Sequence, residues 1–242
     1  MKRLSHYSQY FLRNPRLIKE LVGHTSITKK DVVYDIGAGS GVISSVLATR
    51  CKAVVAIEPE PRTAAKLRLN MEDYSNVAVL QADFLTMPLP KTPYKVCANI
   101  PFHLSSPIVR RLTESTFPPE AIYLVVQKQF ANKLLPESKG FTGQLGMLIG
   151  PQFAVRIRRR LLRTDFWPHP NVDTVFIEIA HRPQSLIMEK DIPRYRKCIV
   201  DCFSDPKAFA KMPVKAAGLP LDIKPSQMTL SQWVRLFTLS IQ

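Results

Sequence analysis

The sequence predicts an α/β fold in which a mostly parallel sheet is followed by a small α-helical domain. Five short apolar runs are nearly continuous in hydrophobicity and are separated by segments of helix length. Such runs are typical of buried parallel strands joined by right-handed crossovers. Two further runs alternate and flank prolines, which predicts an antiparallel pair that completes a seven-stranded sheet.

The bounds of the elements follow from these patterns. The predicted strands cover residues 32–36, 53–57, 77–80, 96–98, 121–126, 153–160 and 174–180. The predicted helices cover residues 15–23, 42–50, 195–203 and 230–237. Because the strand patterns stop near residue 183, we expect a large α/β domain at 1–182 and a small helical domain at 183–242.

The balance of charges indicates a polyanionic partner. The 242 residues include 34 Lys and Arg against 19 Asp and Glu, which gives a net charge of +15. This surplus favours nucleic acid, because each neutralised phosphate releases condensed counterions. No apolar stretch is long enough to span a bilayer and no basic amphipathic helix stands apart from the fold, so no membrane partner is expected.

The four cysteines predict neither a disulfide framework nor a metal site. They form no CxxC pair and have no nearby histidine partners, so we expect reduced, structural thiols in a cytoplasmic protein. They are Cys51, Cys97, Cys198 and Cys202.

A glycine-rich turn and a carboxylate predict a site for an adenosine-containing cofactor. The turn Asp35-x-Gly37-x-Gly39-x-Gly41 follows the first strand of the sheet, and Glu58 ends the next strand. Glycines let the backbone approach a ligand. A carboxylate about twenty residues further on can accept hydrogen bonds from both ribose hydroxyls.

Dinucleotide oxidoreductases use similar elements, but two further acids favour S-adenosylmethionine. The dinucleotide fingerprint is GxGxxG, whereas this turn is GxGxG and is led by an acid. A carboxylate at Asp35 would repel a pyrophosphate but suits the ammonium group of a methionine moiety. Asp83 closes the third strand, where it can accept a hydrogen bond from an adenine amine. S-adenosylmethionine is therefore the predicted cofactor.

The tetrapeptide Asn99-Ile100-Pro101-Phe102 ends the fourth strand and predicts methyl transfer to a base amine. The Asn99 side-chain oxygen and the Ile100 carbonyl can accept hydrogen bonds from an exocyclic amine, which favours the pyramidal nitrogen of the transition state. Pro101 fixes the backbone direction, Phe102 can stack on an extruded base, and Phe166 is the candidate for the opposite stacking face. Core packing is the competing interpretation of both phenylalanines.

These motifs resemble those of the ribosomal RNA adenine N6-dimethyltransferases. Residues 8–15 look like the N-terminal cofactor-contact segment of that family, and residues 99–102 are similar to its catalytic motif. Residues 126–129 and 166–173 resemble two further family segments. The resemblance covers residues 8 to 180. It implies a Rossmann-like class I methyltransferase fold, S-adenosylmethionine as cofactor and ribosomal RNA as substrate.

The resemblance also implies which residues contact the cofactor. Tyr10 stands where the family has asparagine, so one polar contact is altered, and Gln129 replaces the usual glutamate. Asn99 would serve both the cofactor and the substrate. The implied cofactor contacts are Gln9, Gly37, Glu58, Asp83 and Asn99, joined by backbone near Tyr10 and Leu12.

Within that family the sequence is most similar to the erythromycin-resistance (Erm) branch, which modifies a large-subunit RNA adenine. The Ile-Pro-Phe triplet, the short chain and residues 229–237, which look like the C-terminal helix of Erm enzymes, favour this branch. We therefore expect a monomeric methyltransferase of 23S ribosomal RNA that confers macrolide-lincosamide-streptogramin resistance. The alternatives are a small-subunit rRNA dimethyltransferase of ribosome assembly, a mitochondrial transcription-factor-like nucleic-acid-binding protein, and a small-molecule methyltransferase.

Two arginine pairs are candidates for contacts with RNA phosphates. Arg158 and Arg160 share one face of an alternating strand, and Arg110 and Arg111 follow the tetrapeptide closely. The competing interpretation of the strand arginines is an edge strand that uses charge to block aggregation. The small helical domain is also expected to bind RNA.

Overall fold

The computed structural model describes residues 10–12, 14–137 and 141–241, which form two compact units. Unit 1 contains the chain up to Lys128 together with Ile157–Ile179. Unit 2 contains Gln129–Arg156 together with the chain from Ala180 onward. This division differs from the expected domains at 1–182 and 183–242, because residues 129–156 group with the C-terminal part.

The strands and helices of the described residues have these bounds. The strands are β1 (Phe11–Leu12), β2 (Val32–Ile36), β3 (Ala53–Ile57), β4 (Val77–Leu80), β5 (Lys95–Asn99), β6 (Ala121–Gln127), β7 (Phe153–Leu161), β8 (Phe166–Trp167) and β9 (Thr174–His181). The α-helices are α1 (Pro15–Gly23), α2 (Val42–Ala48), α3 (Pro61–Asn70), α4 (Ser105–Thr113), α5 (Lys128–Leu134), α6 (Gln144–Ile149), α7 (Ile192–Ser204), α8 (Pro206–Ala210) and α9 (Leu230–Ser240).

Seven strands form one mixed sheet in the order β4-β3-β2-β5-β6-β9-β7. The ladders from β4 to β6 are parallel. Two contacts show that β9 runs antiparallel to β6. The Tyr123 hydroxyl donates to Glu178 at 3.0 Å. Further along β6, the Lys128 N–H donates at 2.8 Å to the carbonyl of Asp173, which comes before Glu178 in the chain. The predicted mostly parallel seven-stranded sheet with an antiparallel strand is confirmed.

Helix α1 follows directly from its sequence. The Asn14 side chain accepts hydrogen bonds from the N–H groups of Arg16 at 3.0 Å and Leu17 at 3.4 Å, so it caps the helix. Pro15 occupies the first turn, where its missing N–H costs no hydrogen bond. The apolar stripe of the helix packs into the core of unit 1 through Leu17, Ile18, Leu21 and Val22.

A second, two-stranded antiparallel sheet joins β1 to β8 and brings two distant segments together. Phe11 lies opposite Trp167, and Leu12 lies opposite Phe166. Leu12 and Phe166 point into the core, with 4% and 1% of their surface exposed. The sequence does not predict this pairing, because strands of two residues are too short to show an alternating pattern.

In unit 2, residues between α5 and α6 are tied to the C-terminal segment. The Thr142 hydroxyl donates to the Met228 carbonyl at 2.8 Å, and the Tyr195 hydroxyl donates to the Met147 carbonyl at 3.0 Å. Trp233 of α9 is fully buried and stacks on Phe203, with ring centroids 5.7 Å apart. These contacts explain why residues 129–156 group with the C-terminal part.

The described ranges hold neither a membrane-spanning helix nor a cluster of metal-binding side chains. No helix there has the length and apolar character needed to cross a bilayer. No group of three or more His, Cys, Asp or Glu side chains in those ranges is arranged to hold a metal ion.

Candidate active site

A cavity of about 450 Å³ lies at the carboxyl ends of β2, β3 and β5 in unit 1. Strands of a parallel sheet end at the same edge, so motifs that are far apart in sequence meet there. The cavity has the size of a small-molecule site. Its lining includes the predicted site residues Tyr10, Leu12, Asp35, Gly37, Gly39, Glu58, Asp83, Asn99, Ile100, Pro101 and Phe102.

The glycine turn between β2 and α2 requires glycine at three positions. Gly37, Gly39 and Gly41 have φ values of 72°, 57° and 90°, a region that other residues rarely adopt. The N–H groups of Gly37 and Ala38 both donate to the Ile57 carbonyl at 2.9 Å, which holds the turn against the end of β3. The turn is therefore fixed before a ligand arrives.

Glu58 is a buried carboxylate that is held in place by backbone donors. One carboxylate oxygen accepts from the Gly39 N–H at 3.0 Å and the other from the Glu60 N–H at 3.1 Å. A carboxylate has about four lone-pair sites, so these two bonds leave acceptor capacity. The side chain lines the cavity with only 2% of its surface exposed. This geometry suits recognition of a ligand's hydroxyl groups.

Asp35 is buried and incompletely satisfied. Its Oδ2 accepts from the Ser44 hydroxyl at 2.6 Å, whereas its buried Oδ1 has no hydrogen-bond partner among the described residues. Burial, aided by the charge of Glu58 and opposed by the Ser44 hydrogen bond, raises the pKa of the Asp35 carboxyl to about 7. A cation in the cavity would stabilise the ionised form.

Asp83 lies in a different setting from the other two acids. It follows the end of β4 by three residues instead of closing that strand, and it is exposed. Its Oδ1 accepts from the Leu85 N–H at 2.9 Å, which fixes the carboxylate at the cavity rim.

Asn99, the last residue of β5, has the donor end of its amide occupied, whereas the acceptor end has no partner among the described residues. Its Nδ2 donates to the Tyr10 carbonyl at 2.6 Å. Its Oδ1 is buried and accepts no hydrogen bond from any described residue. A buried carbonyl oxygen without a donor is rare in folded proteins. Asn99 therefore presents an acceptor to a ligand in the cavity.

The residues after Asn99 form a rigid turn into α4. The Leu104 N–H donates to the Pro101 carbonyl and the Ser105 hydroxyl donates to the Phe102 carbonyl, both at 2.9 Å. The Phe102 ring lies 5.4 Å from the Tyr10 ring, with 30° between their planes. The Tyr10 side chain is thus an aromatic wall that the sequence analysis missed, because it placed only backbone near Tyr10 at the cofactor.

One predicted site residue of the described ranges does not line the cavity. Phe166 is not part of its lining and is 1% exposed in the core cluster that includes Leu12 and Leu161, so its predicted role as a stacking face does not fit this position. Its backbone instead pairs with Leu12. Gln9 lies outside the described residues.

Three of the four predicted RNA-contact arginines are engaged within unit 1. Arg110 pairs with Glu114 at 2.9 Å. Arg111 donates to the Met87 carbonyl. Arg158 donates to the His24 carbonyl at 2.9 Å and lies 3.5 Å from Glu178. Arg160 is exposed and makes no ion pair or hydrogen bond with any residue that the structure describes. Of these four, Arg160 is the side chain most available to a phosphate.

Replacing Asp35 by Asn is expected to flatten the pH dependence of the free energy of unfolding. Because the pKa of Asp35 is about 7 when folded and near 3.8 otherwise, the folded protein binds more protons between these values. Wild-type stability should therefore fall as the pH rises from 4 to 7, and then level off. Over this pH range the free energy of unfolding of the wild type should fall by on the order of 4 kcal/mol.

Urea unfolding at several pH values measures this, with Asp73→Asn as the control for the same change at an exposed position. Parallel pH profiles for the wild type and Asp35→Asn would contradict the assignment.

The chain is similar to known ribosomal RNA methyltransferases. A family model described as "Ribosomal RNA adenine dimethylase" matches residues 2–207. A ribosomal RNA small subunit methyltransferase A from Streptococcus thermophilus is 30% identical over 196 residues, which cover 76% of this chain and 67% of the relative. The enzyme of the same name from Latilactobacillus sakei is 28% identical, covering 94% of this chain and 86% of the relative.

Solved structures are similar over nearly the whole chain. The 23S rRNA methyltransferase ErmE has a TM-score of 0.83 and 27% identity, with 96% of this chain and 100% of that chain covered. A dimethyladenosine transferase from Plasmodium falciparum has a TM-score of 0.75 at 20% identity, covering 94% and 96% of the two chains, which shows the shared fold. The chain therefore belongs to the ribosomal RNA adenine dimethylase family and is an S-adenosylmethionine-dependent rRNA adenine methyltransferase with a Rossmann-like fold.

Proposed function

We propose that this protein methylates the exocyclic N6 of an adenine in 23S ribosomal RNA and so confers macrolide-lincosamide-streptogramin resistance. The observation that carries the chemistry is the buried Asn99 Oδ1, which lines the cavity and has no donor among the described residues. It is an acceptor placed for the N–H group of a base.

The chemistry at the substrate amine is assigned to the tetrapeptide. The lone pair of an adenine amine is delocalised into the ring, so the nitrogen is a poor nucleophile. Asn99 Oδ1 and the Ile100 carbonyl accept its two N–H groups, which favours a pyramidal nitrogen and directs the lone pair toward the donor. The base stacks on Phe102, and the neighbouring Tyr10 ring extends the aromatic wall.

The cofactor is assigned to the acids and glycines of the same cavity. S-adenosylmethionine, when bound, supplies an electrophilic methyl group. Glu58 accepts from the ribose hydroxyls and Asp83 from the adenine amine, while Asp35 faces the ammonium group. The partnerless Asp35 Oδ1 and the remaining lone pairs of Glu58 support this assignment, because both offer acceptors to a ligand rich in donors. The glycine turn leaves room for the ligand's close approach.

Likeness to ErmE supports the large-subunit target. The alignment covers all of the ErmE chain at 27% identity. The Ile-Pro-Phe triplet after Asn99 is the sequence feature that favours this branch. The net charge of +15 suits either ribosomal RNA.

Methylation of small-subunit ribosomal RNA is the second candidate. It is favoured by the names of the relatives from Streptococcus thermophilus and Latilactobacillus sakei, both ribosomal RNA small subunit methyltransferase A. The two candidates share the same cavity chemistry and differ in the RNA that is recognised.

Asn99→Ala is expected to slow methyl transfer to ribosomal RNA by about 100-fold to 1,000-fold, because it removes the acceptor for the amine. Transfer of labelled methyl groups under single-turnover conditions measures this, with cofactor affinity measured separately by calorimetry. Asn76→Ala is the matched control, since the Asn76 amide also donates to a backbone carbonyl, that of Ala48 at 2.9 Å. A wild-type rate in Asn99→Ala at saturating cofactor would refute the role of Asn99.

Expression in a macrolide-susceptible bacterium is expected to permit growth in the presence of the drug. Reverse-transcription mapping should then find the new methyl groups on a 23S adenine, and Asn99→Ala should give neither effect. Methylation confined to the small-subunit RNA, with unchanged drug sensitivity, would instead select the second candidate.

Arg160→Ala is expected to weaken RNA binding and to reduce the slope of log K against log salt by about one, as expected when one phosphate contact is lost. Arg160→Lys should keep the slope, because it retains the charge. Binding titrations of the wild type and both variants at several salt concentrations measure this slope. An unchanged slope in Arg160→Ala would contradict this phosphate contact. It would favour the competing interpretation, in which charge on the edge strand blocks aggregation.

A further inference from the structure

Two large aromatic side chains lie side by side on the outer face of the sheet formed by β1 and β8. Residues directly opposite each other in an antiparallel pair project from the same face, and Phe11 is opposite Trp167. Phe11 is 41% exposed and Trp167 is 48% exposed. We refer to this pair as the aromatic platform.

The platform adjoins the active-site cavity. Phe11 is part of the cavity lining, and its Cε1 lies 3.1 Å from the position that a Cβ on Gly39 would occupy. The Phe11 ring therefore covers the glycine turn, and Trp167 extends the aromatic surface away from the cavity along the sheet. One side chain thus belongs to both the cavity wall and the exposed surface.

A neighbouring ring supports the Trp167 indole, and the same segment of the chain carries an exposed arginine. His169 contacts the indole edge-on, with ring centroids 5.8 Å apart. The Nδ1 atom of His169 is 3.0 Å from the Arg163 carbonyl. The Arg163 side chain is 59% exposed and only distantly paired with Asp173, at 3.7 Å. Exposed aromatic rings and basic side chains are the groups that sites for single-stranded nucleic acid combine.

We propose that the aromatic platform binds the base of a nucleotide that neighbours the target adenine. This inference rests on the proposed function, because an extruded adenine leaves the adjoining base without its stacking partner. Phe11 and Trp167 offer that base a replacement surface next to the cavity that receives the adenine. Stacking is tolerant of sequence, so the platform contributes affinity and register, whereas the tetrapeptide selects the amine.

The occupant is a nucleic acid base in preference to a protein surface. The chain carries a net charge of +15, which attracts phosphates and repels most basic partners. The platform is also continuous with a cavity that takes a base, so a single strand can pass from one to the other without a break.

Intrinsic fluorescence provides a direct test, because Trp167 is half exposed while Trp233, the second tryptophan of the chain, is fully buried. The probe is an oligoadenylate RNA of about ten nucleotides, within the range of such binding sites. Its charge-matched control is an oligomer of the same length made of abasic ribose phosphates. Oligoadenylate should quench the Trp167 emission and shield it from iodide, and the abasic oligomer should do neither.

Three variants accompany the fluorescence test. Trp167→Ala should weaken oligoadenylate binding about tenfold and abolish the preference over the abasic oligomer, and Trp167→Phe should restore most of the affinity. Leu162→Ala is the control, since it removes another exposed apolar side chain, 69% accessible, from unit 1 and should change nothing. Cofactor affinity should be the same in all three variants, which separates the platform from the cavity.

Several outcomes would contradict base binding by the aromatic platform. Equal quenching by the two oligomers would do so even if Trp167→Ala failed to fold, since that comparison uses the wild type alone. Unchanged oligoadenylate affinity in a folded Trp167→Ala would do so as well. Concentration-dependent self-association that Trp167→Ala abolishes, without any effect on RNA binding, would assign the surface to a protein contact instead. None of these readouts requires methyl transfer, so failure of the proposed function would be seen separately.

Discussion

The hydrogen bond from the Asn99 amide to the Tyr10 carbonyl, 2.6 Å long, is the contact on which the active site depends. It uses the donor end of the amide and so points the acceptor end, Oδ1, away from that partner. Leaving a buried acceptor unpaired costs about 1–3 kcal/mol, which a ligand can return by donating to it. Tyr10 reaches this position because the adjoining strand β1 is paired with β8. Pairing of two-residue strands thus sets the orientation of a side chain at the end of β5.

Burial of the two acids in the cavity also costs free energy. Asp35 and Glu58 are each nearly inaccessible to solvent, at 1% and 2% exposure, and they lie on neighbouring parallel strands. Burial and the Glu58 charge both raise the pKa of Asp35, because two negative charges are unfavourable in this buried setting. The glycine turn adds backbone N–H donors that partly compensate at Glu58. A ligand that brings a cation and hydroxyl donors would stabilise both acids, in keeping with the proposed cofactor.

The sequence predicted the features that depend on residues close together in the chain. Strands at 32–36, 53–57 and 77–80 have the predicted bounds, because continuous apolar runs between turns leave little freedom in where a buried strand begins or ends. The cavity brings together the glycine turn, Glu58 and Asn99 because parallel strands end at one edge of the sheet.

The sequence did not predict features that depend on contacts between segments far apart in the chain. The burial of Phe166 depends on β1, and the engagement of Arg111 depends on the Met87 carbonyl in a distant loop. Neither contact leaves a periodic signal in the sequence.

The central claim is that Asn99 must donate to Tyr10 in order to accept from the substrate. Single-turnover methyl transfer by Asn99→Asp tests this most directly, because a carboxylate has the same shape and keeps an acceptor but cannot donate to the Tyr10 carbonyl. We predict that the variant folds and loses about 100-fold or more in the transfer rate, the range expected when a positioned hydrogen-bonding group is lost. A rate equal to that of the wild type would contradict the account, since orientation of the amide by Tyr10 would then play no part in the reaction.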